Sequence, residues 1–328
     1  MTFNSAISDL KKILECSRLS LGNWPSPLEQ RTAHRNFFIK RDDLSGYGRG
    51  GIKTRKLEAV FAYLIDKKIT DAVLVVPNVS NLRSDIELFA RDHAIRFHLI
   101  LANDPFIAKE KRKLPDKTSN VFYTLAGTSK TMTSWKLIKK YAVLKLSGKK
   151  AAWFFPGMAH PAAVMGAAAG LLEMVKQYKD QNIDLPKHVF ISGCTGTGAA
   201  GLLLASAILK QHKLADITIH TVKVFPLPLK LWIAFLLRWT KMKYRLQVNL
   251  SNVYVNIHTE QGPVNYGHAS KELETVCTQV QNGFNIRIDP IYGARSWTAM
   301  NNFVKDSYKA DGLVFWHCGF TPDWNMFK

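Results

Sequence analysis

Apolar positions along the chain alternate between two periods. Leu57, Val60, Phe61 and Leu64 fall on one face of a helix predicted over 53–67. The run DAVLVV at 71–76 is short and continuously apolar, the pattern of a strand buried on both faces. A helix over 84–94, strands at 96–102 and 121–126, a basic helix around 131–146 and a strand at 151–155 follow. The Ala-rich stretch 161–178, with Met165, Leu171, Leu172 and Met174, predicts a closely packed helix. Then come a strand at 188–193, a helix at 199–210 and a strand at 217–224. The C-terminal part predicts a helix near 269–281, a strand at 284–288, a helix near 296–309 and a last strand at 312–317. Strands alternating with helices imply an α/β fold with mostly parallel sheet. No repeat of 20–50 residues is present, and the charged, Pro-bearing segment 104–119 reads as an exposed loop.

At the N-terminus, Phe3, Ala6, Ile7, Leu10 and Leu14 are spaced as an amphipathic helix broken by Asp9, Lys11 and Lys12, which is not the pattern of a signal peptide. Segment 225–245, FPLPLKLWIAFLLRWTKMKYR, is too short in its apolar part to span a bilayer. Trp232, Ile233, Phe235, Leu236 and Trp239 read as a core or dimer-interface helix, with an interfacial membrane helix as the alternative.

Composition adds one unusual feature. Among 328 residues, 45 Lys and Arg face 25 Asp and Glu, a formal charge of +20. Such a charge favours polyanions or anionic membrane surfaces. The basic residues are dispersed, as Lys109, Lys111, Arg112 and Lys113, as Lys136 to Lys150, and as Arg238, Lys241, Lys243 and Arg245. They read as solvated faces with room for weak anionic-surface association, and no nucleic-acid-binding motif accompanies them. The four cysteines form no CxxC pair, in keeping with a reducing cytoplasm, and the ten histidines show no metal-binding spacing, so no metal is expected.

Two motifs carry chemistry. The first is strand, glycine loop and helix at 188–210, with Gly193, Cys194, Thr195, Gly196, Thr197 and Gly198 in the loop. Backbone N–H groups at a helix start favour a phosphate. No GK[ST] follows, so this is not a nucleoside-triphosphate loop. Gly196 to Gly201 fits GxGxxG, but the ribose-binding acid expected about 20 residues on is missing, which leaves a dinucleotide enzyme as a rival reading. The second motif is KRDDL at 40–44 followed by GGIKTRKLE at 50–58. A lysine at a Gly-Gly turn opening a helix, near Arg55 and Lys56, is suited to becoming the neutral amine that adds to a carbonyl. The bland alternative is a solvated basic helix start.

The order KRDDL, GGIKTRKLE, a Ser-Asn turn after a strand, the glycine loop and Asp289-Pro290-Ile291-Tyr292 resembles the pyridoxal-phosphate enzymes of fold type II over about residues 36–320. The nearest branch is 1-aminocyclopropane-1-carboxylate deaminase and D-cysteine desulfhydrase. The resemblance implies two open twisted-sheet domains of the tryptophan synthase β type, one of 56–164 and one of 1–55 with 165–328, with pyridoxal 5'-phosphate in the cleft. It implies that Lys53 carries the cofactor, that Lys56 lies on the phosphate side, that Ser80 lies near the substrate and that Asn81 bonds the ring oxygen. Gly193 to Gly201 would hold the phosphate, Tyr266 and Tyr292 would be the active-site tyrosines, and His317-Cys318-Gly319 would end the last strand at the cofactor. It further implies a homodimer and β-elimination from a small amino acid, D-cysteine foremost. The alternatives are 1-aminocyclopropane-1-carboxylate deamination and an impaired cofactor fold with a basic binding surface. The sequence departs from the family at Ile52 (Asn), Val79 (Gln), Leu82 (His) and Cys318 (Thr). At Gly293, Glu or Thr would face the pyridine nitrogen.

Overall fold

A computed structural model describes residues 8–32, 36–77, 80–102, 120–224, 227–251, 253–259, 269–306 and 311–321. The chain forms two sheets. The smaller one contains β3 (Asp71–Pro77), β4 (Arg96–Ala102), β5 (Val121–Gly127) and β6 (Ala151–Phe154), all parallel, in the order β5-β4-β3-β6. The larger contains β1 (Leu28–Thr32), β2 (Phe37–Lys40), β7 (His188–Gly193), β8 (Thr218–Lys223), β9 (Asn256–His258) and β10 (Leu313–Trp316), in the order β1-β2-β10-β7-β8-β9. Only β1 runs antiparallel to its neighbour. This is the expected α/β class with two open sheets.

Both faces of each sheet are covered, which is why the strands read as continuous apolar runs. On the smaller sheet, α2 (Ile52–Asp66) and α3 (Asn81–Asp92) pack one face through Val60, Phe61, Phe89 and Phe97, with the Phe61 and Phe89 rings stacked at 3.7 Å. The other face takes α4 (Lys130–Leu146) against Val73 and Ile100. On the larger sheet, α5 (Pro161–Asp180), α6 (Thr197–Gln211) and α7 (Leu229–Tyr244) share a core with α1 (Ser8–Leu14). Behind the other face lie α8 (Lys271–Phe284) and α9 (Gly293–Asp306), packed through Phe190, Trp297 and Phe315.

The predicted strand at 284–288 is not formed. Asn285 turns left-handed (φ 53°) to end α8, and 286–289 is irregular backbone. Ile286 and Ile288 produce the alternating pattern because both bury into the core of Trp297 and Phe315, without a partner strand. Conversely β1, β2 and β9 were not anticipated. Segment 225–245 yields a helix whose Leu229, Ile233, Leu236 and Leu237 face the core. Among the described residues, no helix is long and apolar enough to cross a membrane. The expected loop at 104–119 lies outside the described residues.

Candidate active site

Lys53 stands in the first turn of α2, after Gly50 and Gly51, both with positive φ (65° and 85°). Glycine is required at 51 on two counts: its φ, and a Cβ there would fall 1.8 Å from the Cys318 carbonyl oxygen. That contact sets the start of α2 against Cys318 and Gly319, just past the end of β10. The Gly51 N–H donates to the Asp42 carbonyl at 2.8 Å, which holds the turn.

Lys56 is half-buried, and its amine is pushed down to about 8. Desolvation is the main cause and the Lys53 ammonium the next, opposed by Cys194, Cys318 and Asp85. The two lysines, two thiols and one carboxyl therefore share one neighbourhood. Burial raises the Cys194 thiol and pushes Cys318 up to about 12, against the pull of Lys53 and Lys56. Both thiols are protonated at neutral pH, the state of inert rather than nucleophilic cysteine.

Tyr292 joins this group through a hydrogen bond with the Cys194 thiol. Its N–H donates to Asp289 Oδ1 (2.7 Å), and its carbonyl accepts from Ser192 Oγ (3.0 Å). Asp289 Oδ2 accepts from the Thr321 N–H (3.1 Å), which ties the Asp-Pro turn to the segment after β10. Asn81 Nδ2 donates to Thr321 Oγ1 at 3.1 Å. The C-terminal ends of β3 and β10, one from each sheet, thus face each other. Ser80 caps α3, its Oγ accepting from the Leu82 N–H at 3.2 Å.

The glycine loop ends β7 and opens α6. Gly196 occupies the N-cap at φ 69°, with no side-chain cap, so the first-turn N–H groups of α6 remain available to an anion. Trp232 Nε1 donates to the Thr195 carbonyl (2.9 Å), and Leu229 and Ile233 of α7 back Gly196. Thr195 and Thr197 place their hydroxyls 3.4 Å apart. Ile52, the residue standing for the family's Asn, packs on Gly198, so the starts of α2 and α6 touch. Tyr266 lies outside the described residues, as does Val79. No cluster of metal-binding side chains occurs among the described residues.

No family model matches the chain. A curated protein of Pyrococcus abyssi named "Putative 1-aminocyclopropane-1-carboxylate deaminase" is 25% identical over 314 residues, covering 93% of this chain and 92% of that protein. The solved structure of an ACC deaminase homologue superposes with a TM-score of 0.77 at 22% identity, covering 94% of each chain. A pyridoxal 5'-phosphate-dependent aspartate racemase superposes at 0.62 and 13% identity, over 99% of this chain and 98% of its own. The chain shares the fold of these proteins, the two-sheet α/β architecture of the fold type II pyridoxal-phosphate enzymes.

Within this fold type II chain, several site groups escaped the sequence reading. Asp85, on α3, is buried and accepts the Arg49 N–H at 2.8 Å; burial raises its carboxyl, and Lys53 and Lys56 oppose the shift. Ser192 and Ser296 pair at 2.7 Å beside Tyr292. Asp289 was visible only as part of a motif, and burial raises its carboxyl too. His317 accepts the Gly319 N–H at Nδ1 (3.3 Å), and its Nε2 lies 2.8 Å from the Arg287 carbonyl oxygen. His160 caps α5 by accepting the Ala162 N–H at 3.1 Å; desolvation, then Lys243, pushes it down to about 3, so its role is structural. At Gly293, a Cβ would sit 2.7 Å from Ile288 Cβ, so the backbone leaves no room for the family's side chain. The donor set, an uncapped helix start with two lysines, fits a phosphorylated aldehyde.

Proposed function

We propose that the chain binds pyridoxal 5'-phosphate through Lys53 and catalyses β-elimination on a small amino acid, with D-cysteine as the foremost substrate. The observation that carries this reading is the convergence of Lys53, Lys56, Cys194 and Tyr292 on the end of β7, where α6 begins uncapped. Gly193 to Gly198 and Lys56 would hold the phosphate, and Asn81 would bond the ring oxygen. Bound there, the cofactor supplies an electron sink for bonds broken next to the substrate's α-carbon. Lys53 Nζ would take the α-proton. Tyr292 supplies or accepts the second proton. D-cysteine and one water then become pyruvate, ammonia and hydrogen sulfide.

Gly293 and Ile288 favour elimination. Gly293 offers no carboxylate or hydroxyl that could pair with a ring nitrogen, and a weaker sink would suit a substrate with a good leaving group. The names of the archaeal relatives favour the second reading, opening of 1-aminocyclopropane-1-carboxylate. The test uses the purified chain with pyridoxal phosphate. We expect absorbance near about 410–420 nm, borohydride-fixed cofactor on Lys53 by mass spectrometry, and faster pyruvate release from D-cysteine than ketobutyrate release from the cyclopropane acid. Cofactor fixed on another lysine overturns the site. Faster cyclopropane turnover reverses the substrate assignment, and a bound but idle cofactor reduces the protein to an impaired fold.

A further inference from the structure

The outer face of the smaller sheet carries a feature that the proposed chemistry does not use. Of the 17 residues of α4, only Thr133 and Leu144 are buried. Met132, Trp135, Ile138, Val143 and Leu146 are exposed, Ile138 at 63% and Leu146 at 89%. They make up five of the fifteen large apolar side chains exposed among the described residues, so this one helix holds a third of them. With Ala142 they recur at three- and four-residue spacings and form one outward stripe. A helix that only covered the sheet would turn its apolar side inward; α4 is apolar outward as well.

The surrounding charge has one sign. Between residues 120 and 150 the sequence has seven lysines and no Asp or Glu. No ion pair among the described residues uses them. Lys139 Nζ lies over the Trp135 ring at 4.8 Å, and Lys136 donates to the Leu125 carbonyl. Trp153, on the edge strand β6 that follows α4, is also exposed.

We infer that α4 is an interfacial helix that docks the protein on an anionic lipid surface. Its apolar stripe enters the headgroup boundary while the lysines extend beside it to the lipid charge. The charge pattern decides against the other occupants. A two-fold contact between copies would set seven lysines against seven with no acid to meet them. A nucleic acid would satisfy the lysines but leave Trp135, Ile138 and Leu146 unused.

The test is co-sedimentation of the full chain with phosphatidylcholine vesicles, with and without about 30% phosphatidylserine, at about 0.1 M and about 0.5 M salt. We expect binding to the anionic vesicles only, weakened by salt. It should fall at least about tenfold in Lys139→Glu/Lys145→Glu, at roughly one tenfold step or less per lysine removed from the surface. Trp135→Ala/Ile138→Ser should also reduce it. All four side chains lie on the open face of α4, so unchanged thermal melting verifies that the variants fold. No binding to anionic vesicles overturns the inference, as does binding undiminished in both variants. A dimer in sedimentation equilibrium that Ile138→Ser dissociates would overturn it in favour of a self-interface.

Discussion

Arg55 donates to both oxygens of the Asp42 carboxylate, Nε to Oδ2 at 2.9 Å and Nη2 to Oδ1 at 2.8 Å, with both side chains buried. Trp316 Nε1 donates to Oδ2 at 2.8 Å and Ser26 Oγ to Oδ1 at 2.7 Å. Arg55 also reaches Glu173 of α5, which accepts from Lys40 Nζ at 2.6 Å. Burial alone would raise the Asp42 carboxyl, but Arg55 holds it below its ordinary value. KRDDL and KTRKLE are thus one buried ionic unit, which fixes where α2 starts and where Lys53 stands.

That unit predicts a large stability effect away from the reacting atoms. Arg55→Met leaves Asp42 and Glu173 buried without their cation and should cost about 3–5 kcal/mol. Urea unfolding of the cofactor-free chain measures it. A loss below about 1 kcal/mol would show that the pair is not what holds this corner.

The glycine loop predicts two different losses. Gly198→Val meets the side chains of Ile52 and Ile191, at 3.2 and 3.5 Å from its Cβ position, both able to give way, so it should weaken cofactor binding about tenfold or more with little change in stability. Gly196→Val combines φ 69° with a 2.8 Å approach to Leu229, so it should lose stability as well as affinity. Cofactor titration by fluorescence quenching, beside thermal melting, separates the two. Unchanged affinity in both would place the phosphate elsewhere.

Restoring the family's residue at 293 should fail. Gly293→Thr brings a Cβ to 2.7 Å from Ile288 Cβ and should cost about 1–3 kcal/mol through overpacking. Ile288→Ala keeps that Cβ and should not relieve the cost. Full stability of Gly293→Thr in a melting experiment would contradict this account.

Lys56 predicts an alkaline stability slope in the cofactor-free chain. Its folded-state value of about 8 lies below the ordinary 10.5, so between these pH values the unfolded chain binds more protons. Stability should therefore rise with pH across that window, and the folded state should bear the whole desolvation penalty below it. Lys56→Met should be more stable than the parent at pH 7 and lose this part of the slope. Equal slopes in the two proteins, from denaturant unfolding at a series of pH values, would refute the assignment.

Much of this was legible in the sequence because it is local. The helix at 53–67 and the strands at 71–76 and 96–102 follow from side-chain periodicity within a few residues. The phosphate loop follows from glycines next to a helix start. Lys53 and Tyr292 were found by short motifs, whose meaning came from a family resemblance. Tertiary structure alone decided that Asn81 meets Thr321 across 240 residues, that Ser192 pairs with Ser296, and that Asp85 comes up to the two lysines. It also decided that Ile286 and Ile288 bury without a strand, while β2 lies between β1 and β10. Periodicity records which side of a segment is buried. A strand, or a site built from distant segments, depends on which partner supplies the hydrogen bonds, and that partner is chosen only when the chain packs.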